Sequence, residues 1–216
     1  MQDRQNFMHQ TNEGIHMKNL FQQWQSKFTA PQLIVMSLLA LLFNLWATEL
    51  LNTSYASSGF PVPYWQAQLS FDANKLKGWY QVLIERGTLD RYIQTQHIDF
   101  VFIASVLILH VVVLLAISRA MPVGSRLRRA MIVSAMLSTI APIADALENG
   151  ISYVMLANPV DFTAGLAWAY SSLAAIKFAM FTFAYLAAIL GIIAAAWLFV
   201  TRRIQARKVG ERRRIA

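Results

Sequence analysis

Four stretches of the sequence are long and apolar enough to cross a lipid bilayer, and this feature constrains the fold more than any other. A transmembrane helix needs about 20 mainly apolar residues. The chain of 216 residues is 56% hydrophobic and 14% charged, whereas a soluble domain carries about 25% charged residues. We therefore predict an all-α, polytopic four-helix transmembrane bundle, with spans 1 to 4 at residues 32–52, 98–118, 130–156 and 168–200.

The basic residues predict the orientation of these spans. Span 3 is the least apolar of the four, because Asp145, Glu148 and Asn149 interrupt it. Only with this span included do the two Arg-rich segments, 119–129 and 201–216, lie on the same side of the membrane. Cytoplasmic loops carry an excess of Lys and Arg. The sequence therefore predicts a multi-pass protein of the bacterial inner (plasma) membrane with both termini in the cytoplasm.

The net charge also has a local origin. The loop and the tail together carry +10, whereas the whole chain carries +8, so the remainder carries −2. Basic segments beside a membrane bind anionic lipid headgroups, and we expect that role here rather than nucleic-acid binding. The negative remainder instead suggests a cationic partner inside the membrane domain.

The pattern divides the chain into three regions: a leader at 1–31, a membrane domain at 32–200 and the basic tail at 201–216. The leader is predicted to form an amphipathic helix at the membrane surface, with disorder as the alternative for its first fifteen residues. Thr29 is the expected N-cap of span 1, with Pro31 in its first turn. The apolar positions of the leader are Met17, Leu20, Phe21, Trp24 and Phe28.

The segment between spans 1 and 2 is expected to form a helical lid at residues 70–97 on the extracytoplasmic side. Ser70 is the predicted N-cap of a helix that ends at Gly87, and a second helix then runs into span 2. Pro61 and Pro63 predict an extended strap before the lid, with Tyr64 and Trp65 at headgroup level. The predicted buried stripe of the lid comprises Leu76, Trp79, Tyr80, Leu83 and Ile84.

Ionisable side chains are costly inside a bilayer, so each one marks a candidate functional position. Polar residues recur on span 3 at steps of three and four, and such a stripe is expected to face the bundle interior. Pro142 lies within it and leaves the carbonyl of Ser138 without a helical donor. The stripe comprises Ser134, Ser138, Asp145, Glu148, Asn149 and Ser152.

The ionisable residues of the other spans are expected at the same level, near the outer end of the bundle. His110 is predicted deeper, near the middle of the membrane, on the face of span 2 that carries Asp99. Ala187, Gly191 and Ala195 form a ridge of small residues on span 4 that predicts close helix packing, within the bundle or in a dimer. The candidate ligand-binding residues are Asp145, Glu148, Asn149, Lys177, Asp99, His110 and Glu49.

These residues leave several functions open. The charged group predicts either a buried ion-pair network or a site for a ligand, proton or cation. We predict no metal, because Cys is absent and no two His share a helix face, and no other cofactor. A small amphipathic or cationic ligand, or a membrane partner complex, is the first expectation. An intramembrane lipid enzyme with carboxylate acid/base chemistry and an oligomeric cation- or proton-coupled carrier are the alternatives, and no catalytic residue is assigned.

The polar residues of span 3 also carry two resemblances to known proteins. The element Asp145-Ala146-Leu147-Glu148-Asn149 after Pro142, with a helical segment and Gly87-Thr88-Leu89 before span 2, resembles a group of small four-span bacterial membrane proteins with Asp-x-x-Glu-Asn in the third span. That resemblance implies an architecture and no particular chemistry. The four-span layout with intramembrane carboxyls also resembles the EXPERA domain of sterol isomerases and sigma-2 receptor-type proteins. This likeness implies that Asp145 and Glu148 hold a cationic ligand, with Asp99 near the entrance.

Overall fold

The protein is an all-α bundle with four helical segments that are long and apolar enough to span a membrane. The computed structural model describes residues 27–215, so most of the predicted leader helix, including Met17 to Trp24, lies outside the described residues. Span 1 is α1, span 2 is α4, span 3 comprises α5 and α6, and span 4 is α7. The helices are α1 Ala30–Ser58, α2 Tyr64–Gln68, α3 Ala73–Glu85, α4 Leu89–Ala120, α5 Arg126–Leu137, α6 Ile140–Ala157 and α7 Ala164–Ile215.

The start of span 1 follows the local sequence, as predicted. Thr29 is the N-cap, and its hydroxyl accepts a hydrogen bond from the backbone N–H of Gln32. The side chain of Gln32 accepts in return from the N–H of Thr29 at 2.8 Å. This reciprocal capping box satisfies backbone donors that a helix start otherwise leaves unpaired. Phe28, the last apolar residue of the predicted leader helix, lies in a bend before the cap.

Span 3 is interrupted, whereas its hydropathy and polar stripe predicted one continuous helix. α5 ends at Leu137 and α6 begins at Ile140, three residues after the first helix ends. Pro142 lacks the N–H that would bond the carbonyl of Ser138, and its ring crowds that carbonyl. The hydroxyls of Ser138 and Thr139 bond the carbonyls of Ala135 and Met136 at 2.8 and 2.7 Å. These local bonds stabilise the break in the helix.

Span 4 is longer than the predicted 168–200, because α7 continues through the basic tail to Ile215. Lys and Arg are good helix formers, and no Pro follows the apolar part of the span. The predicted boundary at residue 200 therefore marks a change from apolar to basic composition and not the end of a helix.

The segment between spans 1 and 2 forms the predicted lid over one end of the bundle, which we call the lid end. Leu76, Tyr80 and Leu83 of α3 are completely buried, whereas Ile84 is 41% exposed and so falls outside the predicted buried stripe. Burial raises the pKa of the Tyr80 hydroxyl, so this group remains uncharged. The lid packs on Tyr92 of span 2, on Met155 of span 3 and on other apolar residues at this end.

Two local predictions for the lid were wrong. The N-cap of α3 is Asp72 rather than Ser70, and its carboxylate accepts from the N–H groups of Asn74 and Lys75 at 2.9 and 3.2 Å. Phe71 has a φ of +50°, a left-handed conformation that a helix does not contain. The N-cap therefore lies two residues later than predicted. Tyr64 and Trp65 belong to the short helix α2 and not to an extended strap.

The spans pack unevenly around the bundle axis. Span 1 packs along span 2, and span 4 packs on span 3 and on part of span 2. Spans 1 and 4 are neighbours without close backbone contact. Asn44 fixes span 1 to span 2 by donating to the hydroxyl of Ser105 at 3.0 Å, and Ser54 bonds Thr95 nearer the lid. The result is a gap on one side of the bundle, between spans 1 and 4.

At the opposite end, which we call the tail end, small residues let span 4 approach spans 2 and 3. A Cβ added at Gly191 would lie 2.7 Å from side-chain atoms of both Ile117 and Met131. Ala187 and Ala195 pack in the same cluster. The predicted ridge of small residues therefore serves close packing within the bundle.

Gly191→Ala is expected to lower the free energy of unfolding by about 1–3 kcal/mol, because an added methyl group overpacks a close helix contact. The measurement is reversible unfolding in detergent, followed by circular dichroism. Gly150→Ala is the matched control, since a Cβ there meets nothing within 4 Å. Equal stability of the two variants would contradict the close contact.

Candidate functional site

A buried ion-pair cluster joins spans 3 and 4. The Nζ atom of Lys177 lies 2.8 Å from Oδ1 of Asp145 and 2.5 Å from Oε2 of Glu148. All three side chains are at most 4% exposed. Asp145 and Glu148 are one helical turn apart on α6, so both carboxyls face the same ammonium group. The structure thus brings together three of the five ionisable residues that the sequence placed at one level.

Asp99 of span 2 joins the cluster through a neutral neighbour. The side-chain amide of Asn149 donates to Oδ2 of Asp99 at 2.7 Å. Asn149 is adjacent in sequence to Glu148, so span 3 presents an amide to span 2 and carboxyls to span 4. Both residues are buried. Five of the seven candidate residues, Lys177 among them, therefore form one polar layer across three spans.

A cavity of about 400 Å³ opens beside this layer, below the lid. Its polar wall includes Asp99, Asp145 and Lys177, and helix α2 contributes Tyr64 and Gln68. Small-molecule pockets in proteins have volumes of about 300–1,000 Å³ and combine apolar walls with a few polar groups. The other lining residues include Asn44, Thr48, Tyr55, Tyr92, Thr95, Gln96, Phe102, Tyr170, Phe178, Phe181 and Tyr185.

The cavity lies at the gap between spans 1 and 4. Both spans contribute to its wall, span 1 from Asn44 to Tyr55 and span 4 from Tyr170 to Tyr185. The two spans do not pack closely on each other. The cavity can therefore be entered sideways, from the position that lipid occupies around a membrane-spanning bundle.

The cavity wall carries both donors and acceptors, and some buried acceptors near it are unpaired. Oε1 of Gln68 and both carboxyl oxygens of Glu148 are buried and accept no hydrogen bond, although Oε2 of Glu148 is in ion-pair contact with Lys177. Lys177 is the one cationic side chain among the described residues that line the cavity. If the three nearby carboxyls of Asp99, Asp145 and Glu148 are all ionised, they carry three negative charges against the one positive charge of Lys177.

His110 does not join this polar layer. It lies eleven residues beyond Asp99 on span 2, about 16 Å along the helix. Its ring packs edge-on against Phe181 and Tyr185, with centroids 5.8 and 5.1 Å away. Both ring nitrogens are buried without a hydrogen-bond partner. His110 instead lines a second cavity of about 290 Å³ nearer the tail end.

Glu49 also lies away from the site. Its side chain is exposed on span 1, and its carboxyl is 3.5 Å from the hydroxyl of Thr53 on the next turn. Glu49 is on the lid half of span 1, the level that the sequence predicted, but it does not line the cavity. Depth along the helix does not determine its face, and Glu49 points away from Asn44 and Ala47, which are buried.

Several lining residues were missed by sequence reasoning. On span 2, Tyr92, Gln96 and Asp99 recur at steps of four and three and share the face that lines the cavity. This spacing was visible in the sequence and extends the polar face from Asp99 toward the lid. The contribution of Gln68 was not visible, because it depends on how α2 folds back over the bundle.

Comparison with family models, curated proteins and solved structures finds no match to this chain. The resemblances to four-span bacterial membrane proteins and to the EXPERA domain therefore stay predictions. Within residues 27–215, no group of three or more His, Asp or Glu has an arrangement that could hold a metal ion.

Lys177→Met is expected to lower the free energy of unfolding by about 3–5 kcal/mol, because it leaves buried carboxyls without their cation. Adding Asp145→Asn and Glu148→Gln to the same chain is expected to recover most of that loss. The measurement is reversible unfolding of the single and triple variants in detergent.

Lys75→Met is the control for this series, because Lys75 forms an exposed pair with Asp72 at 3.9 Å. Exposed pairs contribute about 0.2–1 kcal/mol. A loss at Lys177 no larger than the loss at Lys75 would show that the buried cluster is not energetically coupled.

Proposed function

We propose that this protein binds a small amphipathic ligand with a cationic or donor-rich polar group, in the cavity beside Asp99 and Asp145. The observation that carries the proposal is the cavity of about 400 Å³ between spans 1 and 4, with two carboxyls and one ammonium group on its wall. A structural ion-pair cluster alone needs no such space, since the members of a buried polar cluster usually satisfy one another by hydrogen bonds.

The charge of the wall supports a cationic ligand. Three carboxyls and one ammonium group in a low-dielectric interior require a further positive charge or a proton to balance them. Lys177, the one cationic side chain on this wall among the described residues, is already paired twice, so it is not free to neutralise an anionic headgroup.

The aromatic part of the wall supports an amphipathic ligand. Tyr55, Tyr92, Tyr170 and Phe181 present apolar ring surface to the same cavity. Aromatic faces also attract ammonium groups within about 6 Å of the ring centre. A ligand that enters from the bilayer must be partly apolar, because the gap between spans 1 and 4 faces the lipid.

The carboxyls have different roles in this proposal. Asp99 and Asp145 contact the ligand directly, because both line the cavity. Glu148 acts through Lys177, which it holds in place without lining the cavity. An acid/base enzyme that uses the same carboxyls would convert the bound lipid, so chemical turnover of a co-purified ligand is the result that favours that alternative.

We also propose that the lid end faces away from the cytoplasm of a bacterium and that the protein lies in its inner membrane. Four antiparallel spans place residues 121–125 and the end of span 4 at the same end of the bundle. Arg126, Arg128 and Arg129 follow this loop directly, and seven further Arg or Lys follow residue 200. The positive charge at this end favours the cytoplasmic side.

Single cysteines test the orientation cleanly, because the chain has no Cys. Asn158→Cys, in the loop at the lid end, is expected to react with a membrane-impermeant maleimide in intact cells. Val123→Cys, in the loop at the tail end, is expected to react only after lysis, although Val123 is 88% exposed. The opposite pattern would contradict the proposed orientation.

Asp99→Asn is expected to reduce the binding of decylamine about tenfold while leaving the binding of decanol unchanged. The replacement keeps the shape and the acceptor for Asn149 but removes a charge, and a charged hydrogen bond contributes about 1.5–3 kcal/mol. The measurement is native mass spectrometry of the protein in lipid nanodiscs.

Glu49→Gln is the matched control, because it removes a carboxyl that lies outside the cavity. The proposal fails if the wild-type protein binds the amine no better than the alcohol, or if the two variants behave alike.

A further inference from the structure

The second cavity, toward the tail end, has no role in the function proposed above. Its volume is about 290 Å³, and its wall is almost entirely apolar. Span 1 contributes Leu38 and Leu41, and span 4 contributes Ala184 and Ala188. These are the two spans that border the first cavity, so the second cavity continues the same gap deeper into the membrane.

Tyr185 belongs to the walls of both cavities. Its ring is half exposed and packs edge-on against His110 at a centroid distance of 5.1 Å. No hydrogen bond of the Tyr185 hydroxyl fixes this ring among the described residues. Tyr185 therefore lies between the two cavities, which together form a groove along spans 1 and 4.

We propose that this groove holds a single-chain amphiphile, with its cationic head in the first cavity and its alkyl tail in the second. The inference rests on the proposed function and names the class of ligand. The two cavities follow one another along a single gap, and only the first carries charged side chains. A ligand with one charged head and one alkyl tail matches a polar cavity that is followed by an apolar cavity.

The second cavity fits an alkyl chain better than a second polar group. The side chains that border it are Leu38, Leu41, Leu109, Val113, Leu114, Ala184 and Ala188, together with Ser37, His110 and Tyr185. The Ser37 hydroxyl is already bonded to the carbonyl of Leu33 at 2.8 Å. The ring nitrogens of His110 are covered by protein atoms, so the surface left for a ligand is apolar.

The test compares octylamine with hexadecylamine on variants that fill only the second cavity. Leu41 lines that cavity and is 42% exposed, so Leu41→Trp adds volume to the groove without disturbing a packed core. Leu42 lines neither cavity and is 62% exposed, which makes Leu42→Trp the matched control. Ala188→Phe fills the groove from the opposite wall. Binding is measured by native mass spectrometry in nanodiscs.

The proposal expects Leu41→Trp and Ala188→Phe to lower hexadecylamine binding at least fivefold. Octylamine binding is expected to stay at the wild-type level, and Leu42→Trp is expected to affect neither amine. If the wild-type protein binds both amines and Leu41→Trp leaves hexadecylamine unchanged, the tail assignment is overturned while the proposed function stands.

Two further results would overturn the inference. If the wild-type protein binds neither amine, the proposed function fails and the tail assignment fails with it. If the wild-type protein is a dimer that Leu41→Trp converts to a monomer, the groove is a contact between two copies of the chain and holds no tail.

Discussion

The ammonium group of Lys177 between the carboxyls of Asp145 and Glu148 is the interaction on which the rest of the structure depends. Charged groups inside a membrane domain are tolerated only when they are paired, so this cluster fixes spans 3 and 4 to each other at one level. Asn149 extends the same layer to Asp99 on span 2. The polar layer thereby sets the register of three spans, and span 1 is left to pack on span 2 alone.

That unequal packing accounts for the cavities. Span 1 is held by hydrogen bonds to span 2, such as that from Asn44 to Ser105, whereas span 4 is held by the ion pairs to span 3. No comparable bond joins span 1 to span 4 among the described residues. The gap between them contains both cavities, the first beside the charged layer and the second beside His110. The ion pairs that hold span 4 on span 3 thus leave, beside span 1, the space in which a ligand is proposed to bind.

The tail end shows the contrasting solution to helix packing. There Gly191 leaves room for Ile117 and Met131, and the helices approach closely without polar side chains. Membrane helices have no hydrophobic force between them, so close van der Waals contact or interhelical hydrogen bonds must hold them together. This bundle uses small residues at the tail end and polar residues nearer the lid. The charged side of the proposed binding space lies where span 4 turns Lys177 toward the other spans, whereas Ala184 and Ala188 of the same span border the apolar cavity.

The sequence by itself determined the four spans, the buried stripe of span 3 and the level of Asp145, Glu148 and Lys177. Hydropathy and helical periodicity are local properties, so a single chain displays them. The tertiary structure alone decided that Glu49 lies outside the site, that His110 lines a separate cavity and that Gln68 reaches the first one. These positions depend on how each helix is rotated about its axis and on which helices are neighbours. The rotation of each helix and the choice of its neighbours depend on packing between residues that are far apart in the sequence. A local sequence pattern does not contain this information.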